Sequence, residues 1–297
     1  MRYPISLLNK PFRTKTMRHY ATVSHESSTL EDFYGTKIDP ILAPVSSVTD
    51  IHGNTLKATA ALRIGMHHLH GHADRFVPLE NHSGLNIHCV SQACVTHPVD
   101  DLKGKLNRCD DHVTIGDFKV GVTPLISDMW VQSLGRTSIT FGHVVSLRDE
   151  LIALGTYVFV RQDKATGALI HITDDERTEQ FPAIYEEIGL PPVEKFPAPN
   201  VAEMEELFQV QLGPQHCTEL FADPAALAEI ALQGLALRGF KQYSHQQVSF
   251  QHLQPAQMHQ TISCRIHDRL PLIGLYRSFL SGEDELLVLA TITSQSP

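Results

Sequence analysis

An internal repeat constrains the fold of this chain more than any other feature of its sequence. Residues 149–156 read DELIALGT and residues 284–291 read DELLVLAT, so five of the eight positions are identical at a spacing of 135 residues. Each segment follows a β-rich stretch with a proline, Pro124 in the first half and Pro255 in the second. Such a repeat in a chain of 297 residues predicts two copies of one domain.

The second copy shows the order of elements most clearly. Residues 207–212 alternate as a strand, and the segment from Pro224 to Leu237 is almost wholly apolar. Asp223 supplies an N-cap and Gly239 a stop signal, which predicts a helix buried on nearly all sides. Alternating runs predict a four-stranded antiparallel meander in each copy, at residues 113–123, 126–133, 137–147 and 150–161 and at residues 244–253, 257–267, 272–280 and 285–293.

Composition and charge exclude several classes of protein. Hydrophobic residues make up 42% of the chain and charged residues 19%, values typical of globular domains. The net charge of −9 has the wrong sign for a nucleic-acid partner. The five cysteines form no C-x-x-C pair, so neither a disulfide framework nor a metal or other cofactor is predicted. No apolar run reaches the length of a membrane span.

The N-terminal segment differs from the rest of the chain. Five basic residues and no acidic residue occur before Glu26, which is typical of a mitochondrial transit peptide. We therefore predict a transit peptide over residues 1–22, cleavage near Tyr20 and location in the mitochondrial matrix. A basic N-terminus without an addressing role is the alternative. The predicted domains follow at residues 40–172 and 204–297, joined by a proline-rich linker at 173–203.

Three segments of the first half, at residues 131–141, 149–156 and 159–167, resemble the last three strands of acyl thioesterases of the hotdog superfamily. The predicted strand and helix of the second half, up to Ala236, are similar to the same family. The resemblance implies an α+β fold with two hotdog domains in tandem, each an antiparallel sheet wrapped round a central helix. We expect the two sheets to join edge to edge. The resemblance also implies hydrolysis of acyl-CoA or another acyl thioester. Assembly as a homodimer of double hotdogs stays open.

Glu229 is the candidate catalytic acid. The resemblance implies a carboxylate on a central helix that acts as general base or nucleophile, and a His-Gly-Gly-like loop whose helix N-terminus binds the thioester oxygen. Glu229 stands at the position of that acid and is the only charged residue from Pro224 to Leu237. A lone carboxylate on a buried helix costs free energy unless it is paired or functional. The alternative is that Glu229 simply faces solvent.

Two loops of the first half compete for the oxyanion role. His52, Gly53 and Asn54 match the family loop by residue type and precede a predicted helix at 57–69. The spacing argues against them, because His52 lies 72 positions before Pro124. The corresponding spacing in the second half, from Leu220 to Pro255, is 35 positions.

The second loop contains His82 and Gly84, and His82 lies 42 positions before Pro124. This assignment predicts a helix at residues 85–95, with Ser91 or Gln92 at the position of the acid. The spacing favours His82 and Gly84. Neither loop brings a carboxylate with it, and the second half lacks such a loop, which leaves one composite site at most.

Other interpretations stay open at this point. His68 and His72 are one helical turn apart, yet such a histidine-rich tract is more often solvated than metal-binding, and no metal is predicted. The incomplete site of each half favours a catalytically inactive tandem hotdog that acts as a binding or structural subunit. A 3-hydroxyacyl-thioester dehydratase is a further alternative, but it requires a His and Asp pair on a hydratase-type loop that no segment matches.

Overall fold

One antiparallel sheet of eleven strands dominates the computed structural model. The structure describes residues 37–44, 51–71, 85–107, 112–115, 118–147, 150–163, 165–180, 190–193, 195–218, 221–240, 246–279 and 284–294. The predicted transit peptide therefore lies outside the described residues.

The elements of the first half are β1 (Lys37–Pro44), β2 (Ile51–His52), β3 (Thr55–Leu56), α1 (Ala58–Gly71), β4 (Leu85–Thr96), α2 (Leu102–Asn107), β5 (His112–Ile115), β6 (Phe118–Leu134), β7 (Ser138–Leu147), β8 (Glu150–Asp163) and α3 (Asp174–Gln180). Those of the second half are β9 (Met204–Gln211), β10 (Cys217–Thr218), β11 (Phe221–Ala222), α4 (Pro224–Leu237), β12 (Gln246–His252), β13 (Thr261–His267), β14 (Leu272–Ser278) and β15 (Asp284–Ser294).

The two halves of the sheet have the same strand order. The order is β1-β6-β7-β8-β4 in the first half and β9-β13-β14-β15-β12 in the second. In each half the first strand, β1 or β9, lies at the outer edge, and the strand that follows the long helix, β4 or β12, lies at the centre. Strands β4 and β12 pair with each other, with Ala93 opposite Ser249. The prediction that one continuous antiparallel sheet joins the two halves is confirmed.

Two sequence predictions for strands are wrong. Residues 85–95 were expected to form a helix, but they belong to β4 at the centre of the sheet. All residues from Gln92 to Thr96 are buried, so this strand lacks the alternation that distinguishes a half-buried strand from a helix. The expected break at Pro124 is absent, since β6 runs through it. Pro124 lies where the β1 register shifts and just before the pairing with β7 begins at Leu125, so a missing N–H is tolerated.

The meander of the second half has three strands rather than four. Strands β13, β14 and β15 follow one another in the sheet as predicted, whereas β12 pairs with β15 and β4 instead of β13. In the first half, the two runs expected at 113–123 and 126–133 fall on β5 and the single long strand β6.

Helices α1 and α4 pack against the same face of the sheet and against each other. The predicted start of α4 is confirmed, because Asp223 Oδ1 accepts a hydrogen bond from the Ala225 N–H at 2.7 Å. Its predicted end is confirmed by Gly239, whose φ of 85° favours glycine. In the described ranges no helix is long and apolar enough to cross a membrane.

Part of the predicted linker lies on the opposite face of the sheet. Leu190 packs against Trp130 there. The carbonyl oxygens of Pro191 and Pro192 accept hydrogen bonds from Thr156 Oγ1 and from Gln247 Nε2, both at 2.7 Å. The segment thus contacts β8 of the first half and β12 of the second, and spans the junction between them.

Candidate active site

The two central helices meet through an ion pair. Arg63 of α1 donates a hydrogen bond to the Glu229 carboxylate of α4, and each side chain is 35% exposed. Arg63 and Glu229 occupy the same position in their helices, since each is the sixth helical residue. The side chains of equivalent positions therefore face each other across the helix contact.

This contact corrects one premise of the sequence analysis. Glu229 was expected to be an isolated buried carboxylate, or else a solvated one. It is neither, because it is half-buried and its charge is compensated by Arg63. Glu229 does face the first half of the chain, as a composite site requires.

At the N-terminus of α1 the Lys57 carbonyl oxygen accepts hydrogen bonds from the Ala60 and Ala61 N–H groups, at 3.0 and 3.2 Å. Lys57 precedes the helix, and an ammonium group cannot accept a hydrogen bond from a backbone N–H. The first two helical residues, Ala58 and Thr59, are nevertheless buried. Backbone N–H groups at such a helix start attract a partial negative charge.

A tight hairpin leads into α1. Strands β2 and β3 pair His52 with Thr55, and Gly53 and Asn54 form the turn between them. Gly53 adopts a φ of 63°, a conformation in which a side chain would be strained, and this explains the glycine. The backbone carbonyl of Asn54 accepts a hydrogen bond from the Val99 N–H at 2.8 Å, which ties the hairpin to the segment after β4.

The second candidate loop does not lead into a helix. His82 and Gly84 lie outside the described residues, but the segment that follows them is strand β4. An oxyanion donor of the expected kind needs a helix start, and strand β4 is not one. The match by residue type therefore correctly predicted the helix that follows His52, Gly53 and Asn54. The spacing argument favoured a helix after Gly84, and that helix is not present. The reason is the long segment between α1 and β6, which contains β4 and α2.

A buried polar cluster lies beneath α1. Ser127 Oγ on β6 lies 2.8 Å from His68 Nδ1 on α1 and 2.8 Å from His143 Nε2 on β7. All three side chains are buried. Burial, together with the neighbouring His68, lowers the pKa of His143 to about 3, so this imidazole is neutral at pH 7. The Ser127 hydroxyl has one proton, so it donates a hydrogen bond to only one of the two imidazole rings. The other ring must donate its N–H to Ser127 Oγ.

A second polar group links the first half to the start of α4. Gln92 on β4 is fully buried, and its Nε2 donates a hydrogen bond to the Pro224 carbonyl oxygen at 3.2 Å. Its Oε1 has no partner among the residues that the structure describes. The neighbouring Tyr157 is buried as well, and its hydroxyl donates to the Leu62 carbonyl oxygen at 3.4 Å. Gln92 was expected on a helix, so this contact with Pro224 was not predicted.

Known structures with the same architecture are thioesterases and related proteins. The chain is similar to the 12:0-ACP thioesterase from Umbellularia californica, with a TM-score of 0.61 and 11% identity over 91% of this chain and 98% of that chain. It is similar to an acyl-ACP thioesterase from Bacteroides thetaiotaomicron, with a TM-score of 0.56 and 9% identity over 86% and 95% of the two chains. For HtdX of Mycobacterium tuberculosis the TM-score is 0.51, with 9% identity over 87% and 99%. No protein-family model and no curated protein sequence matches.

The chain has the hotdog fold. At 9–11% identity this similarity concerns the fold and leaves the chemistry to the residues described above. The helices α1 and α4 both pack against the sheet, and each follows a short hairpin, β2–β3 or β10–β11. The two helix starts differ in chemistry, since Lys57 precedes one and the capping residue Asp223 precedes the other.

The histidine-rich tract of α1 is divided between core and surface. His68 is buried against Ser127, whereas His67 is exposed. His72 lies outside the described residues. Within the ranges that the structure describes, no group of three potential metal ligands is present.

Proposed function

We propose that this protein is an acyl thioester hydrolase with one composite site between two hotdog units in tandem. The observation that carries the proposal is the position of Glu229, a carboxylate of the second half that meets the central helix of the first half. The fold supports it, because the similar structures include two thioesterases that cover most of the chain. The repeated strand order supports the tandem arrangement, with units at residues 40–172 and 204–297 and a linker at 173–203.

The proposed site takes its hydrogen-bond donors from the first unit and its base from the second. The backbone N–H groups at the start of α1, after His52, Gly53 and Asn54, bind the thioester oxygen as negative charge develops on it. Ala58 precedes Arg63 by five positions, which corresponds to about 7.5 Å along a helix. Glu229 therefore lies within reach of a substrate held at this helix start.

In the proposed reaction, Glu229 activates water. The water oxygen attacks the thioester carbon while the Glu229 carboxylate accepts a proton from the water. The C–S bond then breaks, and the sulfur leaves with the proton as a thiol, so the products are a carboxylic acid and a thiol. Arg63 holds the carboxylate towards α1 and is a positioning residue in this scheme. Attack by Glu229 itself, followed by hydrolysis of an anhydride, is the covalent variant of the same assignment.

The test is hydrolysis of acyl-CoA and acyl-carrier-protein thioesters of short, medium and long chains. Glu229→Gln is expected to reduce turnover by at least about tenfold while the protein remains folded. Glu205→Gln is the matched control, since Glu205 also pairs with an arginine, Arg238, on the surface of the second half. Equal turnover in wild type and Glu229→Gln would remove Glu229 from the mechanism.

A catalytically inactive binding or structural subunit is the second candidate. The Arg63–Glu229 pair favours it, because a compensated charge pair between two helices also suits a purely structural contact. The absence of turnover with every thioester in wild type would support this candidate. Hydration of an enoyl thioester in the same assay would instead support the dehydratase.

We also propose that the protein acts in the mitochondrial matrix, because the first residues carry only basic charges. The mature protein from isolated mitochondria is expected to begin near Tyr20, and N-terminal sequencing measures this. A mature protein that begins at Met1 contradicts this. A homodimer of double hotdogs is proposed as its assembly, and the molar mass in solution tests it.

A further inference from the structure

The linker crosses the outer face of the sheet, which is the face away from α1 and α4, as a rigid segment. Pro191 and Pro192 are consecutive, so the φ of each is fixed and neither has an N–H group with which to pair as a strand. Their carbonyl oxygens accept hydrogen bonds from Thr156 Oγ1 on β8 and from Gln247 Nε2 on β12, both at 2.7 Å. We name these four residues the linker clasp. A stiff pair of prolines thus joins two strands that are separated by β4.

The linker is fastened on both sides of the clasp. On one side, Leu190 packs against the buried ring of Trp130. A side chain at Gly142 would clash with both of these residues, so the glycine leaves room for this contact. On the other side, the Phe196 N–H donates a hydrogen bond to Gln251 Oε1 at 3.1 Å. The position of the clasp on the sheet is therefore defined by contacts with both halves.

One row of small side chains crosses the three central strands at the clasp. Thr156 on β8 is opposite Ala93 on β4, and Ala93 is opposite Ser249 on β12. All three residues are buried. Gln247 Nε2 donates a further hydrogen bond to Ser249 Oγ at 2.9 Å, which fixes the amide of the clasp against this row. The clasp thus ties β8 to β12 at one level of the sheet.

The inner face of the sheet contacts both long helices at the same level. Successive residues of a strand point to opposite faces, so Tyr157 and Gln92, which lie opposite each other, face α1 and α4. The Tyr157 hydroxyl donates to the Leu62 carbonyl oxygen of α1 at 3.4 Å, and the Gln92 amide donates to the first turn of α4. Leu62 directly precedes Arg63, the partner of Glu229. The clasp and the two helices that form this ion pair therefore lie on opposite faces of the same strands.

We propose that the linker clasp positions Arg63 against Glu229, so that Thr156 and Gln247 are positioning residues for the composite site. This inference rests on the proposed function. Backbone pairing leaves the twist between neighbouring strands variable within limits, whereas the clasp fixes the orientation of β8 relative to β12 across β4. Because the interior is closely packed, a change of this orientation displaces Tyr157 and with it the turn of α1 that contains Arg63. The clasp acts without touching the thioester, since it lies on the other face of the sheet.

Fluorescence of the single tryptophan tests whether the clasp holds the linker. Thr156→Val together with Gln247→Leu removes both hydrogen bonds to the prolines. The emission of Trp130 is expected to shift to longer wavelength, because the buried ring loses its cover at Leu190. Thr291→Val is the matched control and should leave the emission unchanged, since Thr291 is also buried but donates, at 2.9 Å, to a carbonyl oxygen outside the linker. Unchanged emission in the double variant overturns the proposal.

A double-mutant cycle tests whether the clasp acts through Arg63, and it needs only the single change at Thr156. Thr156→Val is expected to lower the kcat of acyl-CoA hydrolysis about threefold when Arg63 is present, with KM unchanged. In the Arg63→Gln background the same change is expected to have no effect on kcat. Thr156→Ser retains the hydroxyl and is expected to restore the kcat of wild type. Equal effects of Thr156→Val in the two backgrounds overturn the proposal, because a purely structural role does not depend on Arg63.

Urea unfolding of the same variants separates this inference from the proposed function. Thr156→Val and Arg63→Gln are expected to be non-additive by about threefold in the unfolding equilibrium constant. The control Thr291→Val is expected to combine additively with Arg63→Gln. Non-additivity in a protein that hydrolyses no thioester supports the link between the clasp and the ion pair and rejects the hydrolase. Hydrolysis with additive effects in both measurements rejects the link and leaves the hydrolase in place.

Discussion

The two halves of the sheet have the same topology but different interiors. Beneath α1, the strands contribute Ser127, His143 and Tyr157, which are buried together with His68 of the helix. Beneath α4, the corresponding strands contribute apolar side chains, among them Ile262, Cys264, Ile273, Leu275 and Ile292. One strand order is thus compatible with an apolar core that includes buried hydrogen bonds and with a core that is apolar beneath its helix.

This difference has thermodynamic consequences. Apolar burial tolerates small displacements and is nearly independent of pH, whereas buried hydrogen bonds require every partner and a fixed protonation state. The first half should therefore respond to the loss of a single hydroxyl, and the second half to the loss of packing volume, whereas acid acts on both halves through His143 and His252. The composite site lies between these two interiors, at the contact of α1 with α4.

The largest expected effect is acid destabilisation. Burial lowers the pKa of His143 and of His252 to about 3, against 6.5 in the unfolded chain. A depressed histidine pKa gives stability that is present above pH 6.5 and is lost as the pH falls towards 3. At pH 4.5 the loss is about 2.5–3 kcal/mol for each histidine relative to pH 7.5.

Urea unfolding at pH 7.5 and pH 4.5 measures this loss, which totals about 5 kcal/mol for the two groups. In His143→Gln the pH-dependent loss is expected to fall by about half, since His252 on β12 remains. The same pH dependence in wild type and in His143→Gln would show that the interior of the first half does not bind its histidine in the neutral form.

The next largest effect concerns packing in the second half. Leu275→Ala removes a fully buried side chain of β14 and is expected to lower the free energy of unfolding by about 2–5 kcal/mol. Leu253→Ala is the control, because Leu253 is 45% exposed and should cost no more than about 0.5 kcal/mol. The cost of Leu275→Ala is expected to be the same at pH 7.5 and pH 4.5, and a pH-dependent cost would blur the distinction between the halves.

A third test removes the hydroxyl between the two histidines. Ser127→Ala leaves buried imidazole nitrogens of His68 and His143 without a shared partner and is expected to cost about 2 kcal/mol. Ser263→Ala is the matched control on β13. Ser263 is buried too, but its hydroxyl has no partner in the described part of the chain, so its loss should be nearly neutral. Similar costs for the two variants would mean that the hydrogen bonds beneath α1 contribute nothing specific.

The extent to which the sequence predicted this fold depended on how local the signals were. The start and end of α4 were predicted because Asp223, Pro224 and Gly239 act on adjacent backbone groups. Strands β13 to β15 were predicted because turn residues separate their runs in the sequence. Strand β4 was missed because a central strand covered on both faces has no periodicity, and its neighbours β8 and β12 are distant in the chain.

The candidate site could be predicted only in part for the same reason. Residue type identified Glu229 on its helix, but its partner Arg63 lies 166 positions earlier and no local pattern links the two. The hydrogen bond from Gln92 to Pro224 joins residues 132 positions apart. The helix start at His52, Gly53 and Asn54 was recognisable, because a glycine with positive φ and a following helix are local features.

The smallest expected effect concerns the two helix starts. Asp223 caps α4, whereas Lys57 stands at the same position before α1 and cannot cap it. Lys57→Asp would give α1 the missing acceptor and is expected to raise the free energy of unfolding by about 0.5–1 kcal/mol. The same side chain would occupy the N–H groups that are proposed to bind the thioester oxygen, so hydrolysis is expected to fall by about tenfold or more.

Lys57→Ala separates the two roles of this position. It removes the contacts of the lysine, as Lys57→Asp does, but it leaves the N–H groups of α1 uncapped, so turnover should stay near that of wild type. Urea unfolding and acyl-CoA hydrolysis on the same three proteins give the result. A more stable and less active Lys57→Asp protein would indicate that the open helix start is kept for binding at the expense of stability. A stabilised variant with full activity would mean that the difference between Lys57 and Asp223 has no part in the reaction, and the oxyanion site would then have to be sought away from α1.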